Sequence, residues 1–207
     1  MSIYDADEEQ QVEAIKDWWK ANGKSVIIGV VVGIGGILGW RYYQDGITAE
    51  QETASHGYSA VISNLEEKGL EAQKPTQDFI TANDKTSYAV LASLQLAKAQ
   101  VDANKLDDAL TQLKWAKLHA KDDTLLPIIS YRMARVLTAQ SKYDDAISEI
   151  SAVKSEAWKA RNQELMGDIY LLKGDKDAAQ KAYIQAQQDG TANQALQMKL
   201  DELANES

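Results

Sequence analysis

Few side chains of this 207-residue chain are suited to catalysis or metal binding. Cysteine is absent, which excludes thiol nucleophiles, thiolate metal ligands and disulfides. The two histidines, His56 and His119, stand far apart, and the sequence contains no HExxH, GxSxG or aspartate-rich calcium-binding motif. The sequence therefore predicts a protein that is not an enzyme, with no catalytic residue, metal site, cofactor or small-molecule substrate.

A glycine-rich segment, residues 33–39, has the composition of a phosphate-binding loop. It reads GIGGILG, which lacks the GK[ST] ending, and Leu38 occupies the place of the third glycine in GxGxxG. The segment also lies inside an apolar run, where a phosphate could not be bound. Acidic pairs such as Glu66-Glu67 and Asp122-Asp123 are typical of solvated helix ends, so neither feature indicates an active site.

The glycines belong to an uncharged run, residues 25–40, between Lys24 and Arg41. Sixteen residues of helix span about 24 Å, somewhat less than a hydrocarbon core of about 30 Å. The two flanking cations can extend to the headgroups, and the aromatic residues beside Arg41 suit the interface. A buried core helix is the alternative, but such helices rarely contain five glycines. The run predicts a single transmembrane helix over residues 25–43.

The orientation of this helix follows from its basic flanks. Lys16, Lys20 and Lys24 precede it, whereas Arg41 is the only basic residue after it before Lys68. The positive-inside rule therefore predicts a cytoplasmic N-terminus and a C-terminal part on the other side of the membrane. A cleaved signal peptide is the alternative. It fits poorly, since six acids precede the run and no small-x-small cleavage site follows it, so we expect an uncleaved signal anchor.

The cytoplasmic head, residues 1–24, contains a short amphipathic pattern. Residues 8–22 predict a helix that ends at Gly23, with an apolar side formed by Val12, Ile15, Trp18 and Trp19. We expect this side to lie at the membrane interface. Docking to a cytoplasmic protein is the alternative.

The glycines of the run fall on two helical stripes, the first formed by Gly29, Gly33 and Gly36 and the second by Gly35 and Gly39. Residues 29–33 form a GxxxG motif, which permits close approach of a second membrane helix. We hypothesise that the stripes pack against such a helix. Incidental small residues are the alternative.

The part after the anchor, residues 45–207, is acidic. It contains 25 of the chain's 31 acidic residues and 18 of its 22 basic residues. Nucleic acids and anionic lipid surfaces require clustered lysines and arginines, so neither is an expected ligand. The two prolines, Pro75 and Pro127, leave this part free to be helical almost throughout.

Three segments of this part, residues 96–116, 133–153 and 166–186, align without gaps. Each starts with a large–small pair: Leu96-Ala97, Met133-Ala134 and Met166-Gly167. A turn residue follows seven positions after the small one: Asn104, Ser141 and Gly174. An alanine then opens a second helix, and a bulky residue follows it: Ala109 and Leu113, Ala146 and Ile150, Ala179 and Tyr183. Small residues let two antiparallel helices cross closely, while the turn residue suits a left-handed helix end.

This pattern resembles the tetratricopeptide repeat (TPR), whose unit has 34 residues. The resemblance implies an all-α fold: one transmembrane helix, then a TPR-like solenoid of antiparallel helix pairs over residues 44–207. We expect a degenerate unit at 48–83, repeats at about 90–123, 127–159 and 160–190, and a capping helix at 191–204 with Thr191 as its N-cap. A generic helical bundle is the alternative.

In a TPR array the first helix of each repeat lines a concave surface. The TPR alignment places Lys98, Tyr131, Arg135 and Asp168 in this groove, with Arg132 and Arg161 nearby. Because arginine suits bidentate carboxylate contacts, we hypothesise a basic groove for an acidic or C-terminal peptide segment. Pairing of the arginines with Glu164, Asp168 and other helix acids is the alternative. Leu94 stands where the carboxylate clamp of some TPRs would need a polar residue.

A more specific resemblance covers almost the whole length. The head contains QVEAIKDWW and ends in ANGKS, the glycine-rich span ends in GWRYYQ, and the repeat domain contains SYAVLASLQLAK. This arrangement resembles the YfgM family of ancillary subunits of the bacterial SecYEG translocon. The resemblance implies a single-pass type II protein of the bacterial inner membrane with a periplasmic TPR domain. It also implies three partners: SecYEG, a membrane-anchored periplasmic chaperone of the prolyl-isomerase type, and translocating polypeptides.

The function expected from this resemblance is a scaffold that helps to pass translocated proteins to periplasmic chaperones. A negative regulator of an envelope-stress response, which sequesters a response regulator, is an alternative. An envelope assembly factor is another.

Overall fold

The computed structural model describes residues 3–190 and 194–205, which form helices and turns and no strand. The chain divides into two units, residues 1–53 and 54–207. The predicted all-α fold with a TPR-like array is confirmed.

The helices, with their bounds, are α1 Ile3–Lys68, α2 Gln73–Ala82, α3 Ser87–Asp102, α4 Leu106–His119, α5 Leu126–Ala139, α6 Tyr143–Ser151, α7 Glu156–Lys173, α8 Lys176–Gln188 and α9 Gln194–Asn205. Short 3₁₀ turns, Gly69–Ala72 and Asp123–Leu125, precede α2 and α5. The expected N-cap of the last helix, Thr191, lies outside the described residues.

Helix α1 continues through Gly23, so the expectation that a head helix ends there is wrong. The Trp19 ring packs over Gly23, within 3.2–3.3 Å of where a Cβ would lie. A glycine inside a helix costs only about 1 kcal/mol relative to alanine. Ending the helix would instead leave backbone groups without hydrogen-bond partners beside an apolar run.

The N-terminal unit holds one candidate membrane span. Between Gln11 and Gln44, helix α1 is long enough to cross a membrane and contains an 18-residue window with a mean hydropathy of 1.7. The large apolar side chains of this stretch are exposed, among them Val32 (67%) and Ile28 (63%). An exposed apolar surface of this length requires an apolar surrounding, and a bilayer supplies one.

In the second unit, α3 and α4, α5 and α6, and α7 and α8 form three successive helix pairs. The turn residues have positive φ angles of 57° at Asn104, 60° at Ser141 and 86° at Gly174. This left-handed backbone is the conformation that the alignment predicts at these places. It reverses the chain within a few residues and brings the two helices of a pair together.

Small residues lie where the paired helices cross. Ala109, Ala146 and Ala179 at the start of each second helix are fully buried. In the last pair the approach leaves no room for a side chain at the small position, since a Cβ on Gly167 would overlap the Tyr183 ring. The bulky positions Leu113, Ile150 and Tyr183 are likewise buried, and they fill the space beside the small ones.

Both ends of the repeat array are covered by further helices. At the first end, Leu65 of α1 and Ile80 of α2 pack with Leu96 of α3. At the other end, Leu196 and Leu203 bury one side of α9 against α8. Terminal helices of this kind protect apolar surface that a further repeat would otherwise cover.

Candidate partner-binding groove

The candidate groove residues lie on the first helices of the three pairs. Helix α3 carries Lys98, α5 carries Tyr131, Arg132 and Arg135, and α7 carries Arg161 and Asp168. Each helix contributes its buried side to the core and leaves polar side chains on another side. The repeat pattern therefore determines which side chains can face a partner.

A cavity of about 420 Å³ opens between α3 and α5. Lys98 lines it from α3, and Arg132 and Arg135 line it from α5. We call it the arginine cavity. Its remaining lining is one carboxylate, Asp102, and a set of apolar side chains: Leu94, Ala97, Val101, Leu106, Leu113, Val136 and Ala139.

The three arginines of the first helices form no ion pair with the described part of the chain. Among the residues that the structure describes, no carboxylate lies within 4.0 Å of the guanidinium of Arg132, Arg135 or Arg161. Burial, with the neighbouring charge of Arg135, lowers the pKa of the half-buried Arg132. The cavity wall thus holds two adjacent arginines that form no ion pair with a carboxylate of the described residues, although Asp102 lies elsewhere in the lining.

Asp168 takes part in a different set of contacts. Its Oδ1 accepts a hydrogen bond from the Tyr183 hydroxyl at 2.7 Å and one from Lys199 Nζ at 2.7 Å. Lys199 also donates to Glu164 at 3.0 Å. The two α7 acids that could have paired with the arginines instead bind a lysine of α9, so the structure does not bring Asp168 together with Arg132 and Arg135.

An aromatic pair links α5 to α7. The rings of Tyr131 and Trp158 lie 5.7 Å apart, and the guanidinium of Arg161 lies 5.0 Å from the Trp158 ring centre. Both rings are half-buried. Trp158 was missed in the sequence, although its position three residues before Arg161 places both on one helical side. Arg161 does not line the arginine cavity.

A second cavity of about 520 Å³ lies between the end of α1 and α3. It shares Lys98 and Asp102 with the arginine cavity. The rest of its lining is mainly apolar, with one further carboxylate: Ile62, Leu65, Glu66, Gly69, Leu70, Gln95, Ala99 and Ala103. The sequence did not predict this second cavity, because residues 48–83 depart from the repeat pattern.

The five anchor glycines, Gly29, Gly33, Gly35, Gly36 and Gly39, have open space around them. No atom of the described chain, apart from their own helix backbone, lies within 4 Å of where their Cβ atoms would be. Any close packing at these stripes would therefore come from another membrane helix. In the described part of the chain, no group of three or more His, Asp or Glu side chains is placed to hold a metal.

Comparison with solved structures concerns the fold. Pseudomonas aeruginosa PilF aligns with a TM-score of 0.60 over 76% of this chain and 70% of its own, at 13% identity. MamA from Desulfovibrio magneticus RS-1 aligns with a TM-score of 0.59 over 74% of this chain and 85% of its own, at 17% identity.

Comparison with protein sequences is more specific. The profile of the tetratricopeptide repeat-like domain matches residues 16–205. The ancillary SecYEG translocon subunit of Haemophilus influenzae is 36% identical over 97% of this chain and 99% of its own length. That of Escherichia coli is 33% identical over 99% of this chain and 100% of its own. Since these matches include the anchor as well as the repeats, the chain belongs to the family of ancillary SecYEG translocon subunits, the YfgM family.

Proposed function

We propose that this protein is a non-catalytic scaffold of the bacterial inner membrane. It associates with the SecYEG translocon, holds its TPR-like domain in the periplasm, and helps to pass translocated polypeptides to periplasmic chaperones. The observation that carries the proposal is the full-length match to ancillary SecYEG translocon subunits, which extends through both the candidate span and the repeats.

The structure supports a binding role for the repeat domain. Two cavities adjoin at Lys98 and Asp102, and their apolar linings offer contact area to an unfolded or extended chain. A single membrane span would keep this surface close to the translocon exit. Tethering raises the effective concentration of the groove, so weak affinity for each client is sufficient.

The proposed partners are the translocon, the emerging polypeptide and a membrane-anchored chaperone of the prolyl-isomerase type. The anchor helix is suited to contacts within the bilayer, while the repeat domain is suited to soluble segments. This division lets one protein bind the channel and a client at the same time.

Site-specific photo-crosslinking in cells tests the proposal. A photoreactive residue in place of Val101, which is 39% exposed in the arginine cavity, should capture translocating chains, SecYEG or the chaperone. The same residue in place of the exposed Lys114 of α4, which lines neither cavity, is the matched control. Equal capture from both positions, or capture of cytoplasmic proteins alone, would contradict a periplasmic scaffold. A cytoplasmic regulator captured from the head would favour the alternative role.

A further inference from the structure

We propose, building on the scaffold function, that the arginine cavity binds an acidic segment of a partner polypeptide. The segment inserts an apolar side chain between α3 and α5 and places carboxylates against Arg132 and Arg135. The proposal thus identifies the client segment as acidic and predicts which of its side chains enter the cavity and which lie at the arginines.

The first support is charge. Several lysines of the repeat domain pair with a carboxylate, as Lys117 does with Glu149 at 2.6 Å and Lys159 with Asp189 at 3.0 Å. Arg132 and Arg135 do not, within the described residues, although they repel each other. A half-buried guanidinium without a counter-charge is unfavourable, and a bidentate carboxylate from a partner would remove that cost.

The second support is the apolar interior. Leu94, Ala97 and Val136 are at least nine-tenths buried yet line the cavity wall. A cavity of about 420 Å³ is large enough for an aliphatic or aromatic side chain. Hot spots of protein interfaces often combine a buried apolar side chain with charge-assisted hydrogen bonds around it.

The third support is the uneven charge along the two cavities. Lys98 and Asp102 line both cavities, but the arginine cavity also has Arg132 and Arg135, whereas the second cavity also has Glu66. A segment that crosses both would meet repulsion if its acids lay at the Glu66 end. We therefore expect the segment to carry acids beside the apolar side chain that enters the arginine cavity. Beside the side chain that enters the second cavity, we expect neutral residues.

The same charges favour a polypeptide over an anionic membrane surface. A lipid surface presents charge uniformly, so it would meet Glu66 and Asp102 as well as the arginines. A short segment can place its acids at the arginines alone.

Binding of a defined peptide tests the inference. The full chain is placed in nanodiscs of zwitterionic lipid and titrated against a fluorescein-labelled 12-residue peptide with two leucines and three acids clustered at one end. Fluorescence anisotropy should show binding that weakens with added salt. A matched peptide with Asn and Gln in place of the acids should bind at least about tenfold more weakly.

Three variants complete the test. Arg135→Glu, at an exposed position, and Arg132→Gln should each weaken binding of the acidic peptide about tenfold or more, while leaving the thermal unfolding midpoint close to that of the parent. Lys114→Glu, a charge reversal outside both cavities, should change little beyond the general effect of net charge. Because Arg135 is exposed, its variant keeps the test valid even if Arg132→Gln disturbs folding.

Three results would overturn the inference. One is equal binding of the acidic and neutral peptides. Another is unchanged affinity in Arg135→Glu and Arg132→Gln. The third is arginine-dependent competition by nanodiscs containing phosphatidylglycerol, which would make a lipid surface the ligand. In each case, persistent crosslinks to SecYEG would preserve the scaffold function, whereas peptide binding without any SecYEG crosslink would refute that function alone.

Discussion

At the scale of single residues, the three helix turns show one backbone conformation built from three residue types. Asn104, Ser141 and Gly174 all have left-handed φ angles between 57° and 86°. Glycine adopts this region without strain and asparagine tolerates it, but serine is disfavoured there. The turn at residue 141 is therefore held by the surrounding helices more than by its own residue. The alignment could predict this conformation because a turn between crossing helices leaves few backbone options.

Replacing Ser141 with glycine should stabilise the repeat domain. The side chain is exposed, so its loss removes little packing, while the strain of the left-handed conformation is relieved. We expect the free energy of unfolding to rise by about 0.5 kcal/mol, measured by denaturant unfolding of the full chain in detergent. The reverse change, Gly174→Ser, should lower it by a similar amount. A Ser141→Gly protein less stable than its parent would show that the serine makes a stabilising contact.

At the scale of elements, the clearest difference between sequence and structure concerns α9 and Asp168. The TPR alignment predicts that Asp168 faces the groove. It cannot show that Lys199, 31 residues later, comes back to bind it. Long-range contacts of this kind depend on how the capping helix packs, which no local pattern contains. The alignment places the arginines on the first helices of their repeats, but it does not show that Arg132 and Arg135 line one cavity and that Arg161 does not.

The charge of Lys199 also links α9 to α7. Burial works against its charged form, but hydrogen bonds to Asp168 and Glu164 outweigh this effect and raise the pKa of Lys199. Because the folded-state pKa is raised, this stabilisation is fully present below the unfolded pKa of about 10.4 and is lost as pH rises through the folded value. At neutral pH the ion pair is therefore intact.

Replacing Lys199 with methionine should loosen α9. The change keeps the aliphatic contacts but leaves two neighbouring acids on α7 without their cation. We expect a loss of roughly 1 kcal/mol, modest because Asp168 is partly exposed to solvent. Hydrogen exchange of the α9 amides should become faster at neutral pH, while α3 and α4 stay protected. Lys181→Met, at an exposed position of α8, is the matched control. Unchanged exchange in α9 would mean that Leu196 and Leu203 alone hold the helix.

The anchor helix offers a second prediction at this scale. We propose that Gly29 and Gly33 pack against another membrane helix. Since a Cβ at either glycine would meet no other part of the described chain, leucines there should not disturb this protein itself. Gly29→Leu with Gly33→Leu should reduce crosslinking to the membrane partner about fivefold, the effect of roughly 1 kcal/mol of lost packing. Val31→Leu with Val32→Leu is the control. Equal crosslinking in both double variants would show that the glycine stripe is incidental.

At the scale of the whole molecule, function depends on which side of the membrane receives the repeat domain. The arginine cavity can bind translocated segments only if residues 54–207 are periplasmic. Three lysines before the span and one arginine just after it predict this arrangement. A few flanking charges therefore predict the topology. They are independent of the repeat pattern, which predicts the fold.

Exchanging these flanking charges should therefore invert the protein. Replacing Lys16, Lys20 and Lys24 with glutamine, and Gln44 and Gln51 with lysine, leaves three basic residues after the span and none in the head. Because basic flanks are retained in the cytoplasm, we expect the repeat domain to become protected from protease added to spheroplasts, while the parent domain is digested. The inverted protein should also lose crosslinks to translocating chains from the arginine cavity.

A matched control removes three charges far from the span, by Lys74→Gln, Lys85→Gln and Lys105→Gln, and should leave the topology unchanged. Digestion of the repeat domain in both variants would show that the folded domain, rather than the flanking charges, determines its side. Protection of the parent domain from protease would place the repeats in the cytoplasm. Their groove could then meet only chains that have not yet crossed the membrane.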